Sequence, residues 1–215
     1  MTATSSRSSP DARRRLIEAG IAQFGRRGLE GATIRDIART ASVNIAGIAY
    51  HFGGKDQLYL ACAEHIAKTV LAGVGARLAH SGEKLTTPAD ELKEVLASAA
   101  EFMLATPEIA DFARFVLREQ MEPSPAFDIL YATFMEPMHK RLCRLWAQAT
   151  GNEPESERTK LKVFALIAQI FLFRMARAGA LRRLNWQEIG ASEINAIIAL
   201  AGESVDALME AEKRP

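Results

Sequence analysis

The chain has 215 residues, of which 48% are hydrophobic, and its formal net charge is only +1. A chain of this length can bury one long domain or two small ones, and its near-neutral charge excludes a uniformly basic nucleic-acid-coating protein. The charge is nevertheless uneven, because residues 1–56 contain nine Lys and Arg against five Asp and Glu, and the remainder is slightly acidic. This asymmetry is typical of a nucleic-acid-binding segment on a carrier domain, although chance alone also produces a small excess of this kind.

Cysteine usage and terminal composition predict a cytoplasmic protein. Cys62 and Cys143 stand far apart and form no zinc-binding spacing, which favours reduced, buried thiols. The first ten residues are rich in Ser and Thr and lack the apolar core of a secretory signal. The most apolar stretch, residues 163–173, is too short to span a bilayer. Residues 1–9 are expected to form a disordered arm.

Helical periodicity runs through almost the whole chain. Apolar residues recur at spacings of three and four and no segment reads convincingly as a strand, so the sequence predicts an all-α fold of about nine helices. Gly151 and Gly179 mark two helix ends, and Pro137 should kink the helix that contains it. After the glycine pair at 53 and 54, helices are predicted from 55 to about 78 and over 88–105, 107–121, 125–149, 157–178 and 191–212.

A helix-turn-helix is predicted close to the N-terminus. Thr33 and Asp36 form a capping-box-like start for a helix over 34–41. After a tight turn, Asn44 caps a second short helix over 45–51. One side of this second helix packs into the core of the motif. The other side carries small and polar residues and is free to enter a DNA major groove, which accepts one α-helix. The positions expected to form the shared core of the motif are Ile37, Ala38, Val43, Ile48 and Phe52.

The segment TIRDIARTASVNIAGIAYHFGGKDQLYLACAEHI resembles the DNA-binding domain of TetR-type repressors. The resemblance covers about residues 11–66 and combines F-x-x-x-G at Phe24, T-x-x-x-I-A from Thr33, V-x-x-x-x-I from Val43 and H-F-x-x-K ending at Lys55. Two segments, VNIAGIAYHFGGKDQLYLA and LREQMEPSPAFD, are similar to the CecR-like branch. The resemblance implies an N-terminal three-helix helix-turn-helix domain over 10–56 and a C-terminal helical regulatory domain, for ligand binding and dimerisation, over 57–215.

The resemblance also implies which residues contact DNA. The recognition helix corresponds to residues 44–51, and the contacts to bases, sugars and phosphates fall on Thr33, Arg35, Asn44, Ile45, Ala46, Gly47, Tyr50, His51 and Lys55. Simpler roles stay open, because Thr33 also caps a helix and His51 can act as a helix-end cation. A solvated charge is the alternative for Lys55, but the glycine pair before it places Lys55 at a helix N-terminus, which favours a phosphate contact.

Two positions depart from the family pattern. Ser42 stands where the turn usually has glycine, so either the backbone avoids a positive φ there or the serine accepts strain. Ala49 stands where a backbone-anchoring tyrosine is common, and we expect Tyr50 to take its place. The recognition helix has almost no Arg, Lys or Gln to reach base edges. We therefore hypothesise that DNA shape and thymine methyl groups, contacted by Ile45 or Ala46, carry much of the specificity.

Two long C-terminal helices carry apolar stripes in which small and large residues alternate, as helix packing requires. In TetR-like proteins such a pair forms a four-helix dimer interface, so the resemblance implies a homodimer that presents two recognition helices to a two-fold operator. The alternative is that both stripes belong to the core of one chain. The expected interface residues are Leu161, Phe164, Ala168, Phe171, Ile194, Ile197, Ile198, Ala201 and Val205.

A regulator requires an input, and the middle helices place polar residues within apolar stretches. This pattern predicts a pocket for an amphipathic small-molecule effector. Aromatic residues at helical spacing are more often plain core, which is the alternative for these positions. The expected lining residues are Phe102, Phe115, Arg118, Glu119, Tyr131, Phe134, His139 and Arg174.

Together these features predict a transcription regulator, a repressor that a small molecule releases from double-stranded operator DNA, with no cofactor and no metal. The alternative is an all-α small-molecule-binding protein or enzyme whose helix-turn-helix is only a packing unit. Enzyme signatures do not favour it, because Gly73 and Gly75 begin like a dinucleotide motif but Leu78 holds the third glycine position and no strand precedes them. The four histidines form no metal-binding spacing.

Overall fold

The computed structural model describes residues 9–80, 87–106 and 109–212. Within these ranges the chain is helical and contains no strand, which confirms the predicted all-α fold. Residues 1–8 of the predicted arm and the predicted helix start at 107 lie outside the described residues, and Ser9 already belongs to the first helix. The helices are α1 (Ser9–Gly31), α2 (Ile34–Ala41), α3 (Ala46–Phe52), α4 (Lys55–His80), α5 (Pro88–Ala105), α6 (Ile109–Met121), α7 (Pro125–Leu130), α8 (Glu136–Thr150), α9 (Glu157–Met175), α10 (Arg177–Leu184) and α11 (Ala191–Glu212), with a π-helical segment, Tyr131–Met135, before α8.

The described chain divides into two compact units. The first contains the residues up to Thr69 together with Asp111–Thr133, and the second contains those of Val70–Ala110 and Phe134–Pro215. The first unit therefore combines the predicted helix-turn-helix with most of α6 and all of α7. The first unit extends beyond residue 56, where the sequence places the boundary between the DNA-binding and the regulatory domain. That functional boundary stays a prediction.

Glycines let the helices of the first unit approach closely. A Cβ added at Gly20 would lie 2.9 Å from Cys62 Sγ on α4, and one added at Gly25 would lie 3.1 Å from the Asp111 carbonyl oxygen on α6. The absence of a side chain at both glycines lets α1 pack closely on α4 and α6, and larger residues would force these helices apart. At Gly28, the glycine of the F-x-x-x-G pattern, the backbone leaves helical geometry with φ 72° and ψ 178°.

The core of the second unit lies between α5, α8, α9 and α11. Trp146 of α8 is fully buried in a cluster that includes Leu92 of α5, Leu166 of α9 and Val205 of α11. These side chains follow the three-to-four spacing that predicts the helices. The apolar stripes of four helices therefore meet in one cluster.

The predicted helix over 157–178 is wrong at its C-terminal end. α9 ends at Met175, Ala176 leaves helical geometry with φ −95° and ψ 25°, and α10 follows at an angle of 82°. Gly179 lies inside α10, and the residue that ends α10 is Asn185, in the left-handed conformation that Asn tolerates well. Among the described residues no single helix has the length and apolarity of a membrane span, and α9 with α10 meets those criteria only as this bent pair.

The α-helix predicted over 125–149 is interrupted shortly before Pro137, and the predicted kink stays a prediction. The π-helical segment Tyr131–Met135 follows α7, and Pro137 lies in the first turn of α8. Proline lacks the N–H that would bond to a carbonyl four residues earlier, and the wider π turn before it absorbs this mismatch.

Candidate nucleic-acid interface

α2 begins with a reciprocal cap. The N–H of Asp36 donates to Thr33 Oγ1 at 3.1 Å, and the Thr33 hydroxyl donates to Asp36 Oδ2 at 3.0 Å. Arg39 and Arg27 pair with the same carboxylate at 2.5 and 3.0 Å. The Thr33 hydrogen bond and these two cations hold the pKa of Asp36 below its ordinary value. The hydroxyl proton of Thr33 is already used in the cap, so a phosphate contact through it would compete with Asp36.

The turn after α2 is left-handed at Ser42, with φ 53° and ψ 43°. The Ser42 N–H donates to the Arg39 carbonyl at 3.1 Å, which closes the helix end. Of the two alternatives that the sequence leaves open, serine therefore adopts the conformation that glycine reaches without strain. The Arg15 guanidinium donates to the Ala41 carbonyl at 3.2 Å, and this bond ties α1 to the turn.

Asn44 and Gly47 build the start of α3. Asn44 Oδ1 accepts a hydrogen bond from the N–H of Ala46, the first residue of α3, at 2.9 Å, although Ile45 rather than Asn44 occupies the N-cap position. A Cβ added at Gly47 would lie 2.9 Å from Val43 Cγ1, with Leu16 of α1 at 3.8 Å. The open side of Gly47 is therefore needed for packing inside the motif. The DNA contact that the resemblance implies for Gly47 would therefore involve its backbone atoms.

The outer face of α3 is not covered by any described residue. Tyr50 is 80% exposed and Ile45 is 44% exposed, Ala46 and Ala49 are exposed beside them, and Ile48 on the opposite face is buried. None of the four outward side chains carries a charge or an amide, so this face offers methyl groups and one phenol to a groove. Ala49 follows Ala46 by three residues, and this spacing places it on the same face.

Cationic side chains lie on both sides of α3 along the chain. Arg35 in the first turn of α2 is exposed and has no hydrogen bond or ion pair with another described residue. Lys55 is the first residue of α4, and its ammonium donates to the Ala32 carbonyl at 3.4 Å, which leaves two N–H groups for a phosphate. His51 is half-buried, with its ring centroid 4.9 Å from that of Tyr50. Cations beside an uncovered apolar helix face are what a phosphate-positioned recognition helix requires.

Residues 16–62 match the family described as bacterial regulatory proteins, tetR family, and residues 88–212 match the C-terminal domain of the HTH-type transcriptional dual regulator CecR. The CecR protein of Shigella flexneri is 34% identical over 181 residues, which cover 81% of this chain and 81% of that protein. The chain belongs to the TetR family, in its CecR branch. It is a DNA-binding transcription regulator, and its relatives are regulators rather than enzymes, as the sequence predicts.

Solved structures show the same fold. A TetR-like transcriptional regulator from Rhodococcus sp. RHA1 has a TM-score of 0.68 at 16% identity, over 93% of this chain and 96% of that chain. AibR, solved in complex with isovaleryl coenzyme A and operator DNA, has a TM-score of 0.67 at 15% identity, over 89% of this chain and 97% of that chain. The predicted fold of this TetR-family regulator, an N-terminal helix-turn-helix followed by a C-terminal helical region, is therefore confirmed.

Four of the predicted effector-binding residues lie in the first unit. Phe115 is fully buried, with its ring 4.7 Å from that of Tyr59. Glu119 is buried and bonded within the unit, and the Arg118 guanidinium lies over Gly28. Tyr131 is 45% exposed. Hydrogen bonds within the chain thus already occupy the Glu119 carboxylate that was expected to contact an effector.

The other four predicted effector-binding residues lie in the second unit. Phe102 is buried, Phe134 and Arg174 are half-buried, and the His139 ring lies 4.1 Å from that of Phe164. Burial lowers the pKa of His139. Two surface depressions of this unit, beside Glu157–Lys162 and beside Arg144–Pro154, contain none of the eight residues. The effector pocket of this regulator stays a prediction.

The predicted dimer-interface residues separate into two groups. One group is buried in a single chain and belongs to the core of the second unit: Ile194, Ile197, Ala201 and Val205. The other group is exposed or half-buried: Leu161, Phe164, Ala168, Phe171 and Ile198. Leu172 of α9 is 59% exposed, and Leu200 of α11, which sequence reasoning missed, is 47% exposed. Both alternatives for these stripes therefore hold in part, since one face of each helix is core and another is uncovered.

Replacing thymine by uracil in the operator should weaken binding by this TetR-family regulator at some positions. Each lost methyl contact with Ile45 or Ala46 removes about 0.8 kcal/mol of apolar burial, or about a fourfold change in affinity. Fluorescence anisotropy with singly substituted duplexes measures this effect. The penalty should disappear in Ile45→Ala at the position that Ile45 contacts. If uracil costs nothing at every position, the thymine-methyl hypothesis is wrong.

Neutralising Lys55 as Lys55→Gln should weaken binding to all DNA sequences about equally. Loss of one phosphate contact should lower the slope of log affinity against log salt by about one unit. Lys68→Gln is the matched control, because Lys68 lies on the same helix and pairs only with exposed Glu64 at 3.4 Å. A change in sequence preference without a change in slope would contradict the phosphate role.

Proposed function

We propose that this regulator binds a two-fold operator as a homodimer and represses transcription until a small molecule releases it. The uncovered apolar face of α9 carries the dimer part of the proposal. Leu161, Phe164 and Leu172 are 61%, 60% and 59% exposed in a single chain. Apolar side chains in one continuous stripe are a feature of association surfaces, since scattered exposure is the norm elsewhere.

α11 packs beside α9 and extends this surface. Ser204 Oγ donates to Gln169 Oε1 at 2.8 Å and thus fixes α11 against α9. Ile197 and Val205 anchor the inner side of α11 in the core, while Leu200 remains 47% exposed on its outer side. Two adjacent helices with buried inner faces and uncovered outer faces suit a four-helix contact between two copies.

Sedimentation and DNA titration test the homodimer. We expect a dimer in solution and one dimer bound to a duplex with two half-sites about 34–36 Å apart or a multiple of this spacing. A duplex with only one half-site should bind much more weakly. A monomer that binds one half-site and two half-sites with equal affinity would contradict the proposal.

The fold neighbour AibR was solved with both isovaleryl coenzyme A and operator DNA, so a protein of this fold binds a small molecule as well as DNA. We expect some small molecule to raise the melting temperature of this regulator and to lower its operator affinity, since both effects follow from differential binding to two states. A thermal-shift screen of metabolites followed by anisotropy measures both. Deletion of the gene should raise transcription from its operator, and a fall would indicate an activator.

A further inference from the structure

The segment LREQMEPSPAFD contains a buried carboxylate that the DNA-contacting residues do not explain. Among the residues that the structure describes, Glu119 is the acidic side chain that is buried, at 2% exposure. The Tyr59 hydroxyl donates to Glu119 Oε1 at 2.5 Å, and the Ser124 N–H and hydroxyl donate to Glu119 Oε2 at 3.2 and 2.8 Å. A buried carboxylate is expensive unless such donors satisfy it, so this arrangement holds its partners in one geometry.

Tyr59 links this carboxylate to the end of the helix-turn-helix. Tyr59 is one helical turn after Lys55 on α4, and it is 3% exposed between the rings of Phe24 and Phe115, at 4.8 and 4.7 Å. Residues four apart lie on the same helix face. The Tyr59 side chain, held by Glu119 and the two rings, therefore lies one turn from Lys55 on the same face of α4.

Arg118, the neighbour of Glu119 on α6, reaches the other end of the motif. A Cβ added at Gly28 would lie 3.0 Å from Arg118 Nη1, so the guanidinium rests on the backbone where α1 turns towards α2. At Gly25, one turn earlier, an added Cβ would lie 3.1 Å from a backbone oxygen of α6. Two consecutive residues of α6 thus contact the chain just before the helix-turn-helix and just after it.

We propose that Arg118 and Glu119 form a clamp that sets the orientation of the helix-turn-helix, and that both are positioning residues for DNA binding rather than effector contacts. The clamp is defined by Arg118 on Gly28 and Glu119 on Tyr59. It acts on DNA only through α2, α3 and the first turn of α4. The inference rests on DNA binding by the family and is independent of the proposed homodimer and effector.

Operator affinity of Tyr59→Phe and of two Glu119 variants tests the clamp. Tyr59→Phe keeps both ring contacts and removes only the hydroxyl, and it should weaken binding about tenfold, within the range of ordinary coupling between sites. Glu119→Met, which has no strong acceptor, should weaken binding at least as much. Glu119→Gln keeps one oxygen for Tyr59 and should restore part of the affinity. The double variant Tyr59→Phe with Glu119→Met should bind no worse than Glu119→Met alone.

Affinity is measured on the duplex that the wild-type protein selects from a random library, at a temperature where circular dichroism shows every variant folded. Glu64→Gln is the control, because Glu64 pairs only on the surface of α4, and it should bind as wild type. Hydrogen exchange in α2, α3 and the first turn of α4 should rise in Tyr59→Phe. Wild-type affinity of Tyr59→Phe with a lowered melting temperature would show a purely structural network and overturn the proposal. If Glu119→Met does not fold, the same comparison of Tyr59→Phe with Glu119→Gln decides the matter.

Discussion

Replacing Leu161 and Phe164 together by Asp should dissociate the proposed homodimer and lower operator affinity by about two orders of magnitude or more. Both side chains are largely exposed in one chain, so the main loss within that chain is the contact of Phe164 with the His139 ring. In a dimer the same substitutions would place unpaired carboxylates in an apolar contact, which costs several kcal/mol for each buried charge. Without the partner, the second half-site is reached only by a separate binding event.

Sedimentation equilibrium and anisotropy measure the two effects on the same samples. Met121→Asp is the control for added surface charge, because Met121 is still more exposed, at 75%, and lies on α6 in the other unit. The control should remain a dimer with wild-type affinity. A double Asp variant that sediments as a dimer would show that this face of α9 is not the dimer interface, whatever the variant's DNA affinity.

The local signals of the helix-turn-helix are strong enough to be read from the sequence. The cap at Thr33 and Asp36 and the hydrogen bond from Ala46 to Asn44 each involve atoms within three residues, so the bounds of α2 and α3 follow to within one residue. The conformation of Ser42 does not follow, because serine is compatible with two backbone choices and the packing of α2 on α3 selects one. The break at Ala176 has no sequence signal that we can identify.

Contacts between distant helices are what the sequence leaves open. Periodicity marks Ile197 and Leu161 alike as apolar helix faces, but burial within one chain distinguishes them, at 3% and 61% exposure. For the same reason Glu119 reads as a polar residue in a plausible pocket until α4 supplies Tyr59 as its partner. Helical spacing states which residues share a face and does not state which helix covers that face.

Gly73 is a further residue whose contact partner does not follow from the sequence, and its replacement by alanine has the largest expected effect on stability. As part of Gly-Val-Gly it resembles the start of a nucleotide-binding motif, but in the structure it makes room for an aromatic ring. A Cβ added there would lie 2.1 Å from Phe102 Cε2 and 2.4 Å from Cδ2. The Arg77 guanidinium lies over the same ring at 5.2 Å from its centroid. The ring of Phe102, which is 5% exposed, therefore has little room to retreat.

Gly73→Ala should destabilise the second unit by about 3 kcal/mol or more, which is the upper range for overpacking a core. This loss is notable because the same change in an ordinary helix interior stabilises by about 1 kcal/mol. Gly75→Ala supplies that comparison two residues further along α4, since no atom lies within 4 Å of its added Cβ. We expect urea denaturation to show the two alanines acting in opposite directions. Phe102→Leu should recover part of the loss in Gly73→Ala, because a smaller side chain frees the space that the new methyl group needs. Equal effects of Gly73→Ala and Gly75→Ala would mean that the ring does not rest on Gly73 in solution.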